Sequence, residues 1–166
     1  MLSKSKRRIL IVKQDPVSGY RRLFVPVDFS DRSITAVRFA HRLAPRAEIC
    51  LFHALDFPAQ DQLTSAGTSE DSIGEYRRQV DREARQRMDE LIAGAVPTGV
   101  PLLPIMEPGD ARALITAKAA EYAADLIVIG RHDQSRLTEY VLGGATRPTL
   151  ARSTCDVAVL PEALRS

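Results

Sequence analysis

The sequence predicts an α/β protein with an open, doubly wound sheet of five parallel strands and helices on both faces. From Leu23 onward, short β-rich apolar segments alternate strictly with segments of helical periodicity. Residues 126–129 are apolar at every position, which is typical of a strand covered on both faces of a parallel sheet. Of the 166 residues, 45% are hydrophobic and 27% charged, an ordinary composition for one globular domain with its own core.

The order of these segments along the chain predicts the topology. Strands are predicted at residues 23–27, 48–55, 101–106, 126–129 and 157–160, and helices at 31–44, 72–95, 111–124 and 144–153. Five such units joined by right-handed crossovers are most commonly wound in the order 3-2-1-4-5. This order places the switch point between the strands that end at Val27 and Ile129. We therefore expect Asp28 and Gly130 to face one crevice.

Local signals refine several of these elements. Pro26 lacks an N–H donor and is expected at the end of its strand. Ser30 or Asp31 is predicted to cap the first helix and Asp110 the third, because a side-chain oxygen there accepts an unpaired N–H. The helical spacing of the second helix predicts a buried stripe of Tyr76, Val80, Ala84, Met88 and Leu91 or Ile92. The interleaved acids and bases on its other side indicate a solvated face rather than a nucleic-acid surface.

Charge and length exclude several classes of function. The net charge of +2 is too small to argue for a nucleic-acid or membrane partner. No apolar run approaches a membrane span, and residues 9–12 are too short for the core of a signal peptide. Cys50 and Cys155 lack metal-ligand spacing and are interpreted as buried thiols. We therefore expect a cytoplasmic protein.

A strand, a glycine, a polar loop, a glycine pair and a helix follow one another between residues 124 and 153. Gly130 ends the strand, and Gly143 and Gly144 open the helix. A helix N-terminus directs unpaired N–H groups and a positive dipole end at a ligand. The alternative is that the glycines only permit tight turns.

Recognisable catalytic spacings do not emerge from the sequence. There is no Ser-His-Asp, paired-carboxylate or metal-ligand spacing, and no metal site is assigned. His53 and His132 could still meet Asp28 and Asp133 at the crevice, which leaves a metal site conceivable.

Four segments resemble the universal stress protein family, across residues 22–161. They are Val-Pro-Val-Asp-Phe-Ser-Asp-Arg-Ser at 25–33, Leu-Phe-His-Ala at 51–54, Gly-Asp at 109–110 and Ala-Asp-Leu-Ile-Val-Ile-Gly at 124–130. The resemblance implies a non-enzymatic stress-response module that acts as a homodimer, with the final strands meeting at the interface. It gives a family domain at residues 22–166 behind an extension at residues 1–21.

The family's ATP-binding members carry glycine, two residues, glycine, nine residues, then glycine followed by serine or threonine. Gly130 and Gly143 match the first and third glycines, whereas Asp133 and Gly144 replace the second glycine and the hydroxyl residue. A carboxylate roughly 4 Å from a phosphate charge costs about 4 kcal/mol near a protein surface, and the lost hydroxyl about 1 kcal/mol of hydrogen bonding. The resemblance thus implies a degenerate site that binds ATP or another adenine nucleotide weakly or not at all.

Two alternatives remain open at this point. One is a genuine ATP-binding member with slow hydrolysis or nucleotide-dependent switching. The other is an enzyme of the wider adenine-nucleotide α-hydrolase-like superfold, although a fold alone does not confer activity.

The resemblance also implies roles for individual residues. Asp28 corresponds to an aspartate that contacts the ribose or adenine end, or it only forms a turn. Ala54 and Ile129 would wall an adenine pocket, or they are plain core. His132 could bond an anion, or it is an exposed loop histidine, and His53 is interpreted as a satisfied, partly buried histidine. The full candidate site comprises Pro26, Val27, Asp28, Ala54, Ile129, Gly130, His132, Asp133, Gly143, Gly144 and Ala145.

The N-terminal extension contains a strand of its own. Residues 9–13, Ile-Leu-Ile-Val-Lys, resemble the family's final strand, as residues 157–160 do. The chain thus resembles the second half of a tandem member, or a relative that kept the last strand of the first half. An isolated strand leaves backbone groups unpaired and needs a sheet edge. We predict that residues 8–13 pair with the final strand, within the subunit or across a homodimer.

Overall fold

Strands and helices alternate along the chain in the computed structural model, which describes residues 8–13, 19–57, 67, 69–130 and 143–161. Within these ranges there are six strands and four helices. The strands are β1 (Ile9–Ile11), β2 (Arg22–Pro26), β3 (Glu48–Leu55), β4 (Leu102–Pro108), β5 (Leu126–Gly130) and β6 (Asp156–Leu160). The helices are α1 (Asp31–Leu43), α2 (Glu70–Ala95), α3 (Ala111–Glu121) and α4 (Gly143–Arg152). The predicted α/β fold is confirmed.

The strands form one sheet in the order β1-β6-β5-β2-β3-β4. The last five strands have the predicted 3-2-1-4-5 winding, with β2 in the centre. Leu23 of β2 lies opposite Ile49 of β3 on one side and Leu126 of β5 on the other, both in parallel register. The chain winds away from β2 in opposite directions, so the carboxyl ends of β2 and β5 border a crevice.

The extra N-terminal strand closes one edge of this sheet. β1 pairs with β6 in antiparallel register, with Ile9 opposite Val159 and Ile11 opposite Val157. In this single chain the pairing lies within the subunit, which is one of the two predicted alternatives. Because β1 occupies the outer edge of β6, a dimer at this side would bring β1 to the boundary unless β1 moves away.

Two apolar layers cover the two faces of the sheet. One layer joins α1 and α2 to the sheet and includes Leu23, Val37 and Met88. The other joins α3 and α4 to the opposite face and includes Phe24 and Ile115. Successive residues of β2 therefore enter different layers, as the period of a strand requires.

The buried stripe of α2 differs from its prediction at the start. Ala84, Met88 and Leu91 are buried as expected, but Tyr76 is 43% exposed and Ile73 is buried instead. Ile73 precedes Ala84 by eleven residues, close to three helical turns, whereas Tyr76 is rotated away from that line. The helix also begins two residues before its predicted start and is capped by Ser69, whose side chain accepts from the Ser72 N–H.

Other local predictions have mixed outcomes. Asp110 caps α3 by accepting from the Arg112 N–H, as predicted. Strand β4 runs two residues further than predicted, because Pro108 still lies opposite Leu55 of β3. Both cysteines are unpaired and buried, as predicted. Among the described residues, no helix combines the length and the hydropathy that crossing a membrane requires.

Candidate functional site

The candidate site begins where β2 ends. Pro26 is the last residue of the strand, as predicted, and both Pro26 and Val27 are buried. The Val27 N–H donates to the Phe52 carbonyl at 2.8 Å, which extends the pairing with β3 by one residue. Asp28 is therefore the first residue beyond the sheet.

The Asp28 carboxylate is bound by the residues that start α1. Its Oδ1 accepts from the Ser30 N–H at 3.1 Å, from the Ser30 hydroxyl, and from the Ser33 hydroxyl at 2.7 Å. The Ser33 oxygen in turn accepts from the Asp28 N–H at 2.9 Å. Ser30 occupies the predicted N-cap position, but its side chain makes no cap hydrogen bond. Its hydroxyl turns to Asp28 instead.

These donors keep Asp28 ionised. Burial alone would raise the pKa of Asp28, but the hydrogen bonds from Ser30 and Ser33 and the nearby Arg32 charge outweigh burial and lower the pKa. All three bonds go to Oδ1. The second oxygen, Oδ2, makes no hydrogen bond within the part of the chain that the structure describes. Asp28 thus offers a negatively charged acceptor at the mouth of the crevice.

Phe29 continues the loop in an unusual conformation. Its φ of 63° lies in the left-handed region, which bulky residues rarely adopt. Two contacts hold its ring: the His53 ring at 4.2 Å between centroids, and the Arg87 guanidinium 4.8 Å above the ring centre. The Arg87 contact is a cation–π interaction that ties α2 to the loop.

His53 supports the same loop from β3. Its Nδ1 donates to the Val27 carbonyl at 2.8 Å, so that nitrogen carries the proton. Burial lowers the pKa of His53, the Val27 bond opposes this, and the Arg87 charge lowers it further. His53 is therefore neutral near pH 7. The sequence interpretation of a satisfied, partly buried histidine is confirmed.

The end of β5 forms the other side of the crevice. The Ile129 side chain is fully buried in the layer beneath α3 and α4, so it belongs to the core. A Cβ on Gly130 would lie 3.4 Å from the Arg32 Cβ. This is an ordinary contact distance, and it shows that the first turn of α1 packs directly against the end of β5. Arg32 and Ser33 therefore belong to the site together with the two predicted residues, Asp28 and Gly130.

Helix α4 starts at the predicted glycine pair. Gly143 is its first residue, and Ala145 is 2% exposed. A Cβ on Gly144 would lie 3.7 Å from the Arg112 Cδ, which is an ordinary contact distance. Within the part of the chain that the structure describes, a Cβ is therefore accommodated at Gly144. Ala54, near the carboxyl end of β3, is half-buried and packs against the same apolar layer as Ala145.

The remaining candidates lie outside the described residues. His132 and Asp133 belong to the segment 131–142, so their predicted contacts stay predictions. In the described ranges, no group of three or more His, Cys, Asp or Glu residues is arranged to hold a metal ion.

Sequence reasoning missed three residues of the site: Phe29, Arg32 and Arg87. Phe29 and Arg32 follow Asp28 within the matched segment, so their position gave a signal that was not used. Arg87 stands among evenly spaced charges of α2, which indicate exposure but no specific partner. Together the described residues present a carboxylate acceptor, a neutral imidazole and a helix N-terminus, which are groups suited to binding a polar ligand.

Comparison with known proteins gives a consistent match. The model of the universal stress protein family matches residues 19–161. The chain is 27% identical to universal stress protein YxiE of Bacillus subtilis, covering 85% of this chain and 99% of that protein. It is 24% identical to universal stress protein MJ0577 of Methanocaldococcus jannaschii, covering 85% of this chain and 94% of that protein.

Solved structures agree with this match. The MJ0577 structure superposes with a TM-score of 0.70 over 89% of this chain and 100% of its own, at 22% identity. A universal stress protein in complex with cAMP superposes with a TM-score of 0.56 at 25% identity, over 88% of this chain and 100% of its own.

Proposed function

Because the chain belongs to the universal stress protein family, we propose that it is a non-enzymatic stress-response module with a degenerate adenine-nucleotide site. The site would bind ATP weakly or not at all. The observation that carries the nucleotide site is the division of Asp28 between its two oxygens, whereas its weakness rests on Asp133 and Gly144 at the phosphate end. Oδ1 is held by three donors, whereas Oδ2 has no hydrogen bond within the described residues.

The ribose end of the proposed site is intact. A fixed, ionised carboxylate with one oxygen available is suited to accept a ribose hydroxyl or an adenine amino group. The Ser30 and Ser33 bonds hold it in one orientation, so little side-chain entropy is lost when a ligand binds.

The phosphate end is the weakened part. Helix α4 still directs its N-terminus to this side of the sheet, but it opens without the hydroxyl residue. The sequence also places the Asp133 carboxylate between the two matched glycines, Gly130 and Gly143. Both changes act on a polyphosphate rather than on a nucleoside. A ligand with less phosphate charge should therefore lose less affinity than ATP.

The relatives support an adenine nucleotide as the class of ligand. One universal stress protein of the same fold has been solved in complex with cAMP. This ligand carries adenine and ribose but only one phosphate. On that basis AMP and cAMP belong beside ATP in any test of this chain.

The alternative function is genuine ATP binding with slow hydrolysis or nucleotide-dependent switching. It is favoured by the retained helix N-terminus and by Gly130, the first glycine of the ATP-binding pattern, against which the start of α1 packs. Arg32 is near enough to Asp28 to lower its pKa and could offset some negative charge in the crevice.

Titration calorimetry separates the two functions. The chain is titrated with ATP, AMP and cAMP, and with ATP after Asp28→Ala as the matched control. We expect millimolar or undetectable ATP binding and an affinity for AMP or cAMP that is no weaker. Micromolar ATP affinity that Asp28→Ala abolishes would contradict the degenerate site and support the alternative. Mass spectrometry of the protein under native conditions would identify any ligand that co-purifies.

The proposal includes assembly and location. As predicted from the resemblance, the chain would act in the cytoplasm as a homodimer formed at the final strand. The size of the complex is measured by analytical ultracentrifugation.

A further inference from the structure

The two edges of the sheet differ in their capacity to pair with another chain. Strand β4 forms one edge and contains Pro104 and Pro108, which have no N–H to donate. Prolines on an edge strand are a common protection against edge-to-edge pairing. Pairing with another chain is therefore directed to the opposite side, where β1 covers β6.

Strand β1 is held less firmly than the strand it covers. Leu10 is 50% exposed and Val12 60% exposed, and only Ile9 and Ile11 are half-buried. By contrast, every residue of β6 is buried. Short segments with little buried apolar surface open most easily from a native structure. β1 can therefore leave while the rest of the sheet stays folded.

Lys13, two residues beyond β1, supplies several hydrogen bonds that attach this segment, and Arg8 before β1 lies over the Phe39 ring of α1, 5.2 Å from its centre. Lys13 donates its backbone N–H to Asp156 Oδ1 at 2.7 Å, and its ammonium group donates to the Leu150 and Ser153 carbonyls at the end of α4. Only three residue pairs are in register between β1 and β6. The attachment therefore rests on few backbone pairs and a half-buried face, Ile9 and Ile11, and charges placed on that face are expected to release it.

If β1 left, the edge of β6 would expose unpaired backbone groups and the side chains of Val157 and Val159. A second copy of the chain would present the same strand with the same groups. Two identical strands related by a two-fold axis run antiparallel, as β1 and β6 already do. The β6 strand of a second copy is therefore a self-complementary replacement for β1.

We propose that β1 is a removable strand that competes with the β6 strand of a second copy for one sheet edge. The chain with β1 in place is the monomer, and the chain with β1 released forms the dimer through β6. This inference rests on the proposed homodimer and specifies what controls it.

The competition has a quantitative signature. Both subunits must release β1 before two β6 strands can pair, so the apparent association constant depends on the square of the open fraction. When only a fraction of the molecules can bind, the measured affinity is reduced in proportion to that fraction. A change that raises the open fraction tenfold should therefore raise the apparent dimer association constant about a hundredfold.

Three full-length variants test the proposal. The double substitution Ile9→Asp with Ile11→Asp places charges on the half-buried face of β1 and should release it. Leu10→Asp with Val12→Asp is the matched control, because it adds the same charge to side chains that are already exposed. Leu10→Cys with Ala158→Cys joins two directly opposed positions and, once oxidised, locks β1 onto β6. The natural cysteines are buried and should not compete.

Sedimentation velocity over a range of concentrations reads out assembly, and hydrogen exchange of residues 9–11 reads out release. We expect the releasing variant to dimerise at least tenfold more tightly than the control, and the oxidised locked variant to stay monomeric. A locked variant that dimerises like the unmodified chain would overturn the competition and leave a homodimer through another surface.

A releasing variant whose residues 9–11 exchange freely while the protein stays monomeric would refute pairing through β6 itself. If that variant fails to fold, Lys13→Met, which removes the ammonium bonds that hold the segment, is measured in its place, and accelerated exchange of residues 9–11 without tighter dimerisation would refute the proposal.

Discussion

Asp28 shows how one side chain can serve both a site and the stability of the fold. Its carboxylate ties the end of β2 to the first turn of α1 through Ser30 and Ser33. Asp28 could be proposed from the sequence because a carboxylate follows a strand end within a known pattern, and the partial burial of His53 could be predicted because it lies within a strand. Phe29 and Arg32 stood in the same matched segment. Arg87 could not be assigned a role, because its contact with Phe29 joins elements far apart in sequence and depends on three-dimensional packing.

The lowered pKa of Asp28 predicts acid sensitivity. A depressed carboxyl pKa adds stability above the ordinary value of about 4, and that stability is lost as the pH falls through the lower folded pKa. Asp28→Asn should therefore cost about 1–3 kcal/mol at pH 7 and less at pH 3. Urea unfolding at both pH values measures the difference. The control is Asp31→Asn, an exposed acid in the same turn. Equal losses at both pH values would show that the charge is not involved.

A second prediction concerns the phosphate end of the site. Asp133→Gly with Gly144→Ser restores the complete glycine pattern, and among the described residues the Cβ of that serine meets only an ordinary contact with Arg112. ATP should then stabilise the double variant, by about 2.7 kcal/mol at a concentration one hundred times its dissociation constant. Thermal melting with and without ATP measures the shift, with each single variant as a control. If saturating ATP leaves the melting temperature unchanged, the crevice is closed to ATP for another reason.

The helices and strands themselves were predicted well where periodicity decided them. Strand β3 has its predicted bounds. Helix α2 differs at its start, because its buried face begins at Ile73 and the predicted face began at Tyr76, which is exposed. The sequence predicted that β1 pairs with β6, but not whether that β6 belongs to the same subunit. Pairing within one chain and pairing across a dimer make the same backbone hydrogen bonds, so the sequence does not distinguish them.

At the level of elements, Lys13 should govern the attachment of β1. Lys13→Met keeps the length of the side chain but removes its bonds to the carbonyls that end α4. We expect a loss of about 0.3–1 kcal/mol, typical of a cation at a helix C-terminus. Hydrogen exchange of residues 9–11 should accelerate while exchange in β2 stays constant. Arg46→Met, at an exposed position before β3, is the control. Unchanged exchange in β1 would show that the ammonium group contributes nothing.

For the molecule as a whole, strict alternation of strands and helices was enough to predict the order of the five parallel strands. The origin of the extension in a tandem protein stays a prediction. An apolar layer on each face of the sheet could be expected from its buried strands. The face that each helix covers is set by the handedness of the crossovers.

The two cysteines report on opening of the whole molecule. Burial raises the pKa of Cys50 to about 12, with a smaller effect of Glu48, and burial also raises the pKa of Cys155. A neutral, buried thiol reacts only when the structure opens. Thiol labelling near pH 7 should therefore be slow at Cys50, which lies within β3 between β2 and β4, and faster at Cys155, which precedes β6 and lies outside the strands. Mass spectrometry quantifies each site, and the denatured chain provides the reference. Labelling of Cys50 at the denatured rate would contradict the buried sheet.

The position of β1 in the sequence also determines when it can pair during synthesis. Lys13 and its partner Asp156 are 143 residues apart in the chain. At about 5–20 residues per second, a ribosome releases the first strand roughly 7–30 s before the strand it joins. The nascent chain must therefore carry an unpaired apolar segment while the residues between β1 and β6 are made. β1 is synthesised before the strand that it joins and must wait for it.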